Sequence, residues 1–137
     1  MTNAGQTDPF NQVSKPLGQC RVAIVTTAAL RRAEQDKFGG GDQSFRLLPT
    51  TTDGLILGQI SPNFDRSGFI IDPNVVFPID RLREMVDEGV IGSVSDVHIA
   101  FLGAQGESLA TMEMDTGPAA AKVLKDAGVD VVLLTPV

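Results

Sequence analysis

An α/β fold is predicted by three aliphatic, β-branched runs, CRVAIVTT at 20–27, VHIAFLG at 97–103 and VDVVLLTPV at 129–137, and by the helical patterns between them. Runs of this length with little polar interruption suit strands buried on both faces of a sheet, and parallel neighbours need connections of helical length. The economical arrangement is a Rossmann-like parallel sheet flanked by helices. Its strands end near Thr26 and Thr27, Phe101 to Gly103, and Thr135 to Val137. Ligands of such sheets sit beyond the carboxyl ends of the strands.

Residues 1–18 are polar and broken by Pro9, Pro16 and Gly18, and read as a flexible N-terminal arm before a single α/β domain at 19–137. Cys20 opens the first strand as a small, half-buried hydrophobe. AALRRAEQ then starts a helix or a long loop. Gly39, Gly40 and Gly41 allow a sharp turn or a close backbone approach to a ligand. Ser44 to Leu48 make a short strand, and the polar turn PTTTDG with the run LILGQI completes a hairpin-like excursion. Arg46 has the fork to hold a carboxylate, or is simply solvated or salt-bridged.

Polar turns, charges and a helix meet in Ser61–Gly92. Asn63, Asp65, Arg66 and Ser67 lie between Pro62 and Gly68, which is loop chemistry that serves a ligand or its own turns. Asp72, Pro73 and Asn74 form another turn. Pro78 begins a helix, Asp80 complements its positive end, Ile79, Leu82 and Val86 share its apolar face, and Gly89 ends it. Val97, Ile99 and Phe101 alternate with His98 and Ala100 as a strand requires. GESLATMEMDTGP is a connection, after which Thr116 caps a helix from Pro118 to Ala127 that Gly128 terminates.

Composition excludes several classes of function. A net charge of -6 and a pI near 4.6 disfavour nucleic acid and anionic membrane surfaces, both of which call for a basic face. No basic, apolar leader opens the sequence and no apolar run is long enough to cross a bilayer, so the chain reads as cytoplasmic. One cysteine and one histidine cannot make a zinc set. The glycine triplet lacks both the phosphate-loop and the dinucleotide spacing, so neither a metal nor a bound cofactor is expected.

The blocks RVAIVTTA, GGDQSFRLLP, NFDRSGF, NVVFPIDRLREMVDEGVIGS, VHIAFLGA and GVDVVLLTPV, spread from Arg21 to Val137, resemble the selenoprotein B subunits of glycine, sarcosine and betaine reductases, to which D-proline reductase is related. The resemblance implies a subunit or N-terminal half of an oxidoreductase that cleaves a carbon–nitrogen bond α to a carboxylate, not active alone. In the family a cysteine or selenocysteine nucleophile follows the strand that looks like VDVVLLTPV, at the start of the next helix, where free N–H groups favour the reactive anion. The sequence stops at Val137, so the fold is expected to be incomplete relative to the family's, and no position matches that nucleophile. Cys20, at the opposite end of a strand, is no substitute.

Three readings remain open: half of a split enzyme, a non-catalytic binding or assembly subunit that keeps the fold, or a selenocysteine codon read as a stop. Either a second subunit carrying the Cys/Sec centre or self-association is the expected partner. By the same resemblance, Thr26, Thr27, Asp42, Ser44, Arg46, Asn63 and Arg66 are the expected binding positions for a small carboxylate-bearing substrate, with Arg46 and Arg66 on its carboxylate. His98 and Asp65 are the candidate catalytic groups. A strand histidine is otherwise a structural hydrogen-bonding residue.

Overall fold

The computed structural model describes residues 11–58 and 62–137. Residues 1–10 of the expected arm, and Gln59, Ile60 and Ser61 of the segments read above, lie outside the described residues. Within the arm, Lys15 pairs with Asp130 at 2.8 Å, and Leu17–Gln19 form one 3-10 turn.

The chain is mixed α/β. β1 (Arg21–Thr26) pairs in parallel with β7 (Val131–Thr135) on one side. On the other side it pairs in parallel with β5 (Ser93–Val94) and then β6 (His98–Ala100). The sheet is nevertheless mixed rather than wholly parallel. β3 (Arg46–Leu48) runs antiparallel to β6, with Arg46 opposite Ala100 and Leu48 opposite His98. The expected hairpin after β3 does not form either. β4 (Ile56–Leu57) pairs instead with β2 (Leu30–Arg31), in a separate two-stranded ladder. The reason is burial: Leu48 and Leu30 each reach the core through a partner distant in sequence, and a local hairpin would leave both in water.

Alternation along β1 sends Val22 and Ile24 to one face and Ala23 and Val25 to the other. The first face packs on Phe77 and on Ile79 and Leu82 of α2 (Ile79–Asp87), a helix bounded by Pro78 and Gly89 as its sequence requires. The second packs, together with Ile99 and Phe101, on Ala120 and Leu124 of α3 (Gly117–Asp126). Gly89 and Gly128 both take φ of +74°, the left-handed conformation that turns a chain out of a helix. A short α1 (Ser67–Ile71) precedes α2. Among the described residues no helix is long and apolar enough to cross a membrane.

Two local expectations change. GESLATMEMDTGP is not a plain connection, because Met112–Thr116 wind as a π-helical turn into α3. Thr116 does not cap that helix; its hydroxyl donates to the Gln43 carbonyl at 2.6 Å. The cap of α2 is likewise made by a side chain outside the helix. Asn74 accepts from the Asp80 N–H at 3.0 Å and donates to the Asp80 carboxylate at 2.8 Å. Asn74→Ala is expected to cost about 1–2 kcal/mol in urea unfolding, the usual worth of a helix cap.

Candidate functional site

The sheet's carboxyl side carries a polar cavity of about 630 Å³ lined by Gln35, Asp36, Lys37, Asp42, Ser44 and Arg46, among others. Its position follows from the topology. Arg46 begins β3 opposite Ala100, the last residue of β6, which is in register with Thr26, the last residue of β1. The glycine triplet lets the chain fold back so that the segment 34–37 faces 42–46.

Asp42, Ser44 and Arg46 are thus brought together. Ser44 donates its backbone N–H to Asp42 at 2.8 Å and its hydroxyl at 2.5 Å, and Arg46 reaches the same carboxylate at 3.3 Å. Burial alone would raise the Asp42 pKa, but the two Ser44 bonds and the guanidinium hold it below the ordinary carboxylate value.

Arg46 makes further bonds to Ser44 Oγ at 2.7 Å and to the carbonyls of Asp36, Phe45 and Lys37. With Asp42 these acceptors match the five N–H donors of a guanidinium. Its carbon also stacks 4.2 Å from the centre of the Phe38 ring. The fork is therefore spent on the loop, and the cluster is a knot that fixes the shape of the cavity wall.

Charges left over on that wall belong to residues the sequence did not single out. Neither the Lys37 ammonium nor the Asp36 carboxylate has an ion-pair partner among the described residues, whereas Glu34 is held by Arg32 at 2.6 Å. The charged pair in AEQDKF, just before the glycines, was the available signal.

The remaining expected positions lie elsewhere. Thr26 is buried, its hydroxyl accepting from the Ala28 N–H at 3.2 Å. Thr27 Oγ1 accepts from the Val137 N–H at 2.8 Å, and a Cβ at Gly103 would collide with the Val137 carbonyl, so the tips of the three strands meet closely. Asn63, Asp65 and Arg66 sit in the exposed loop leading to α1. Asp65 accepts the Ser67 hydroxyl at 2.6 Å and its N–H at 2.9 Å, and these bonds lower its pKa.

His98 lies inside the sheet. β5 and β6 leave a gap against β1 between them, and the Ile24 N–H exposed there donates to His98 Nδ1 at 2.9 Å. The ring fills the place of a missing backbone carbonyl. It is fully buried, edge-on to Phe77 at 5.3 Å between centroids. Desolvation pushes its pKa down to about 4, with the Arg83 charge adding to this and the Ser95 carbonyl opposing it. Cys20, expected at the sheet's far end and half-buried, is there but has no exposed surface; its thiol faces the Pro16 carbonyl at 3.4 Å. Among the described residues no three His, Cys, Asp or Glu side chains gather as a metal would require.

Residues 57–137 match the model of the family described as glycine/sarcosine/betaine reductase selenoprotein B. The chain is 36% identical over 127 residues to the D-proline reductase subunit gamma of Acetoanaerobium sticklandii, a match that covers 92% of this chain and 52% of that protein. It is 31% identical to the glycine reductase complex component B subunit gamma of Carboxydothermus hydrogenoformans, covering 93% of this chain and 30% of that one. With the sarcosine reductase complex component B subunit beta of Peptoclostridium acidaminophilum it shares 27% identity, again over 93% and 30%. The chain thus spans from about a third to half the length of these relatives. No solved structure matches it.

Proposed function

The chain belongs to the glycine/sarcosine/betaine reductase selenoprotein B family, and on that footing we propose that it is a subunit of a reductase complex, supplying the pocket for a small carboxylate-bearing substrate. The observation that carries the proposal is the cavity at the sheet's carboxyl side, with Lys37 and Asp36 as uncommitted charges on a wall held rigid by Arg46. A cation and an anion side by side complement a zwitterion: Lys37 takes the carboxylate, and Asp36 faces the ammonium end. Ser44 and Asp42 position that wall through Arg46.

The nucleophile that opens the carbon–nitrogen bond comes from outside these 137 residues, on another subunit or on further chain, because Cys20 is sealed at the opposite end of β1. A second reading, a binding or assembly subunit without chemistry, is favoured by the internal commitment of Arg46 and His98. Both readings place the ligand in the same cavity.

Calorimetric titration with glycine, betaine and D-proline tests the pocket. Lys37→Ala is expected to weaken the binding of whichever of them binds by about tenfold, the loss of a partly solvated charge contact. Unchanged affinity in Lys37→Ala, or no binding of any of the three, would remove the cavity as the site. Substrate-dependent turnover on adding a thiol- or selenol-bearing subunit separates the catalytic reading from the assembly reading.

A further inference from the structure

We propose, on the reading of the cavity as the ligand site, that Gln43 is a positioning residue for it: Gln43 holds the charged wall against the start of the helix that runs into α3, and so couples ligand binding to that helix. Asp42 and Ser44 line the cavity, and Gln43 between them turns the other way. Its side-chain Oε1 accepts from the Met112 N–H at 2.8 Å, and its Nε2 donates to the Ser108 carbonyl at 2.8 Å. Those two backbone groups lie four residues apart and would bond each other in a regular first turn. The amide of Gln43 is inserted between them instead. Its backbone carbonyl accepts from the Thr116 hydroxyl at 2.6 Å, and Gln105 Nε2 donates to the neighbouring Asp42 carbonyl at 2.7 Å.

The π-helical turn sets how the helix meets Gln43. Residues 110–111 and 117–126 are α-helical, and between them the Gly117 N–H donates to the Met112 carbonyl five residues back. Such a turn adds one residue and rotates what precedes it by about 100°. All three contacts with Gln43 lie in or before this turn, whereas Ala120 and Leu124 beyond it are fixed in the core. Glycine at 117 permits the bond, because a Cβ there would collide with the Met112 carbonyl. On the cavity side, Asp42 and Ser44 hold the Arg46 guanidinium, which in turn bonds the carbonyls of Asp36 and Lys37. The two charges that face the ligand are thus anchored, through Arg46 and Gln43, on the first turn of the helix. Linkage makes the coupling reciprocal: a ligand gripped by those charges steadies the helical turn as the turn steadies the ligand site.

Calorimetry and hydrogen exchange on the full chain test this, with whichever of glycine, betaine and D-proline binds. Gln43→Leu fills nearly the same space without either amide bond, and is expected to weaken binding by about fivefold or more. Gly117→Ala leaves Gln43 in place but turns the helical start away from it, and is expected to do the same. Saturating ligand slows exchange of the amides of 108–116 in wild type and not in Gln43→Leu, a difference that a merely structural glutamine would not produce. Wild-type affinity in either variant, beside a weakened Lys37→Ala, overturns the role of Gln43 and leaves the cavity as the site. So does protection of 108–116 that is equal, or absent, in wild type and Gln43→Leu. No binding by wild type, or full affinity in Lys37→Ala, removes the cavity as the site and the role of Gln43 with it.

Discussion

Acidification from pH 7 to about pH 4 is expected to remove about 3 kcal/mol of folding stability through His98 alone. The folded pKa is depressed to about 4 against an ordinary value of 6.5. Above 6.5 the ring is neutral in both states and its contribution is complete. As the pH falls below 6.5, the unfolded chain takes up a proton that the folded chain refuses, so stability declines until the folded ring protonates near 4. Chemistry and geometry agree here: Nδ1 is the acceptor for the Ile24 N–H, and a protonated ring would turn a second donor toward that donor.

Urea unfolding at a series of pH values measures the effect. His98→Gln keeps an acceptor for Ile24 but cannot titrate, so its stability should be flat between about pH 6.5 and 5, where wild type already declines. An equal slope in wild type and His98→Gln would show that the histidine is not the titrating group. The carboxylates held low by hydrogen bonds, Asp42 and Asp65 among them, give up their contributions as the pH falls from about 5 through their ordinary value of 3.8, and do so equally in wild type and His98→Gln.

Arg46→Ala is expected to cost about 3 kcal/mol of folding stability, because it leaves a mostly buried carboxylate and several loop carbonyls without their partner. The side chains of Arg46 and Asp42 are only 11% and 20% exposed, so solvent does little to compensate. Arg46→Lys recovers a fraction of this, since one ammonium cannot bond the planar set of acceptors that the guanidinium spans. The contrast with Lys37→Ala is the informative one. The lysine change should move ligand affinity and leave the unfolding midpoint in place, whereas the arginine change should move the midpoint first. A stable Arg46→Ala protein that had simply lost ligand affinity would show that the fork faces the ligand.

The family could be named from its sequence blocks because they lie where local geometry is most demanding. NVVFPIDRLREMVDEGVIG encodes a proline start, an apolar face at helical spacing and a glycine in left-handed conformation, and each was legible residue by residue. The positions of the long strands were legible for the same reason. β1 and β6 are buried as expected, but β7, also expected to be buried, leaves Val132, Leu133 and Leu134 exposed because no described element covers its outer side. Partners across the sheet were not legible. Leu48 pairs with His98 and Leu30 with Leu57, over separations that no local pattern records, so the antiparallel strand and the second ladder emerge only when the core closes.

Polar residues show the same division. The residue types at Arg46, Asp65 and His98 marked them as able to bind, but type does not say which acceptor each finds. Asp65 finds Ser67 two residues on, Arg46 finds a loop folded back by glycines, and His98 finds an amide left bare by a broken strand. The limits of α2, the positions of the long strands and the overall charge were thus settled along the chain, by backbone sterics and hydrophobic spacing acting over a few residues. Which strands became neighbours, and which charges remained free for a ligand, waited on packing, because a buried polar group is satisfied by whatever the folded chain brings within reach.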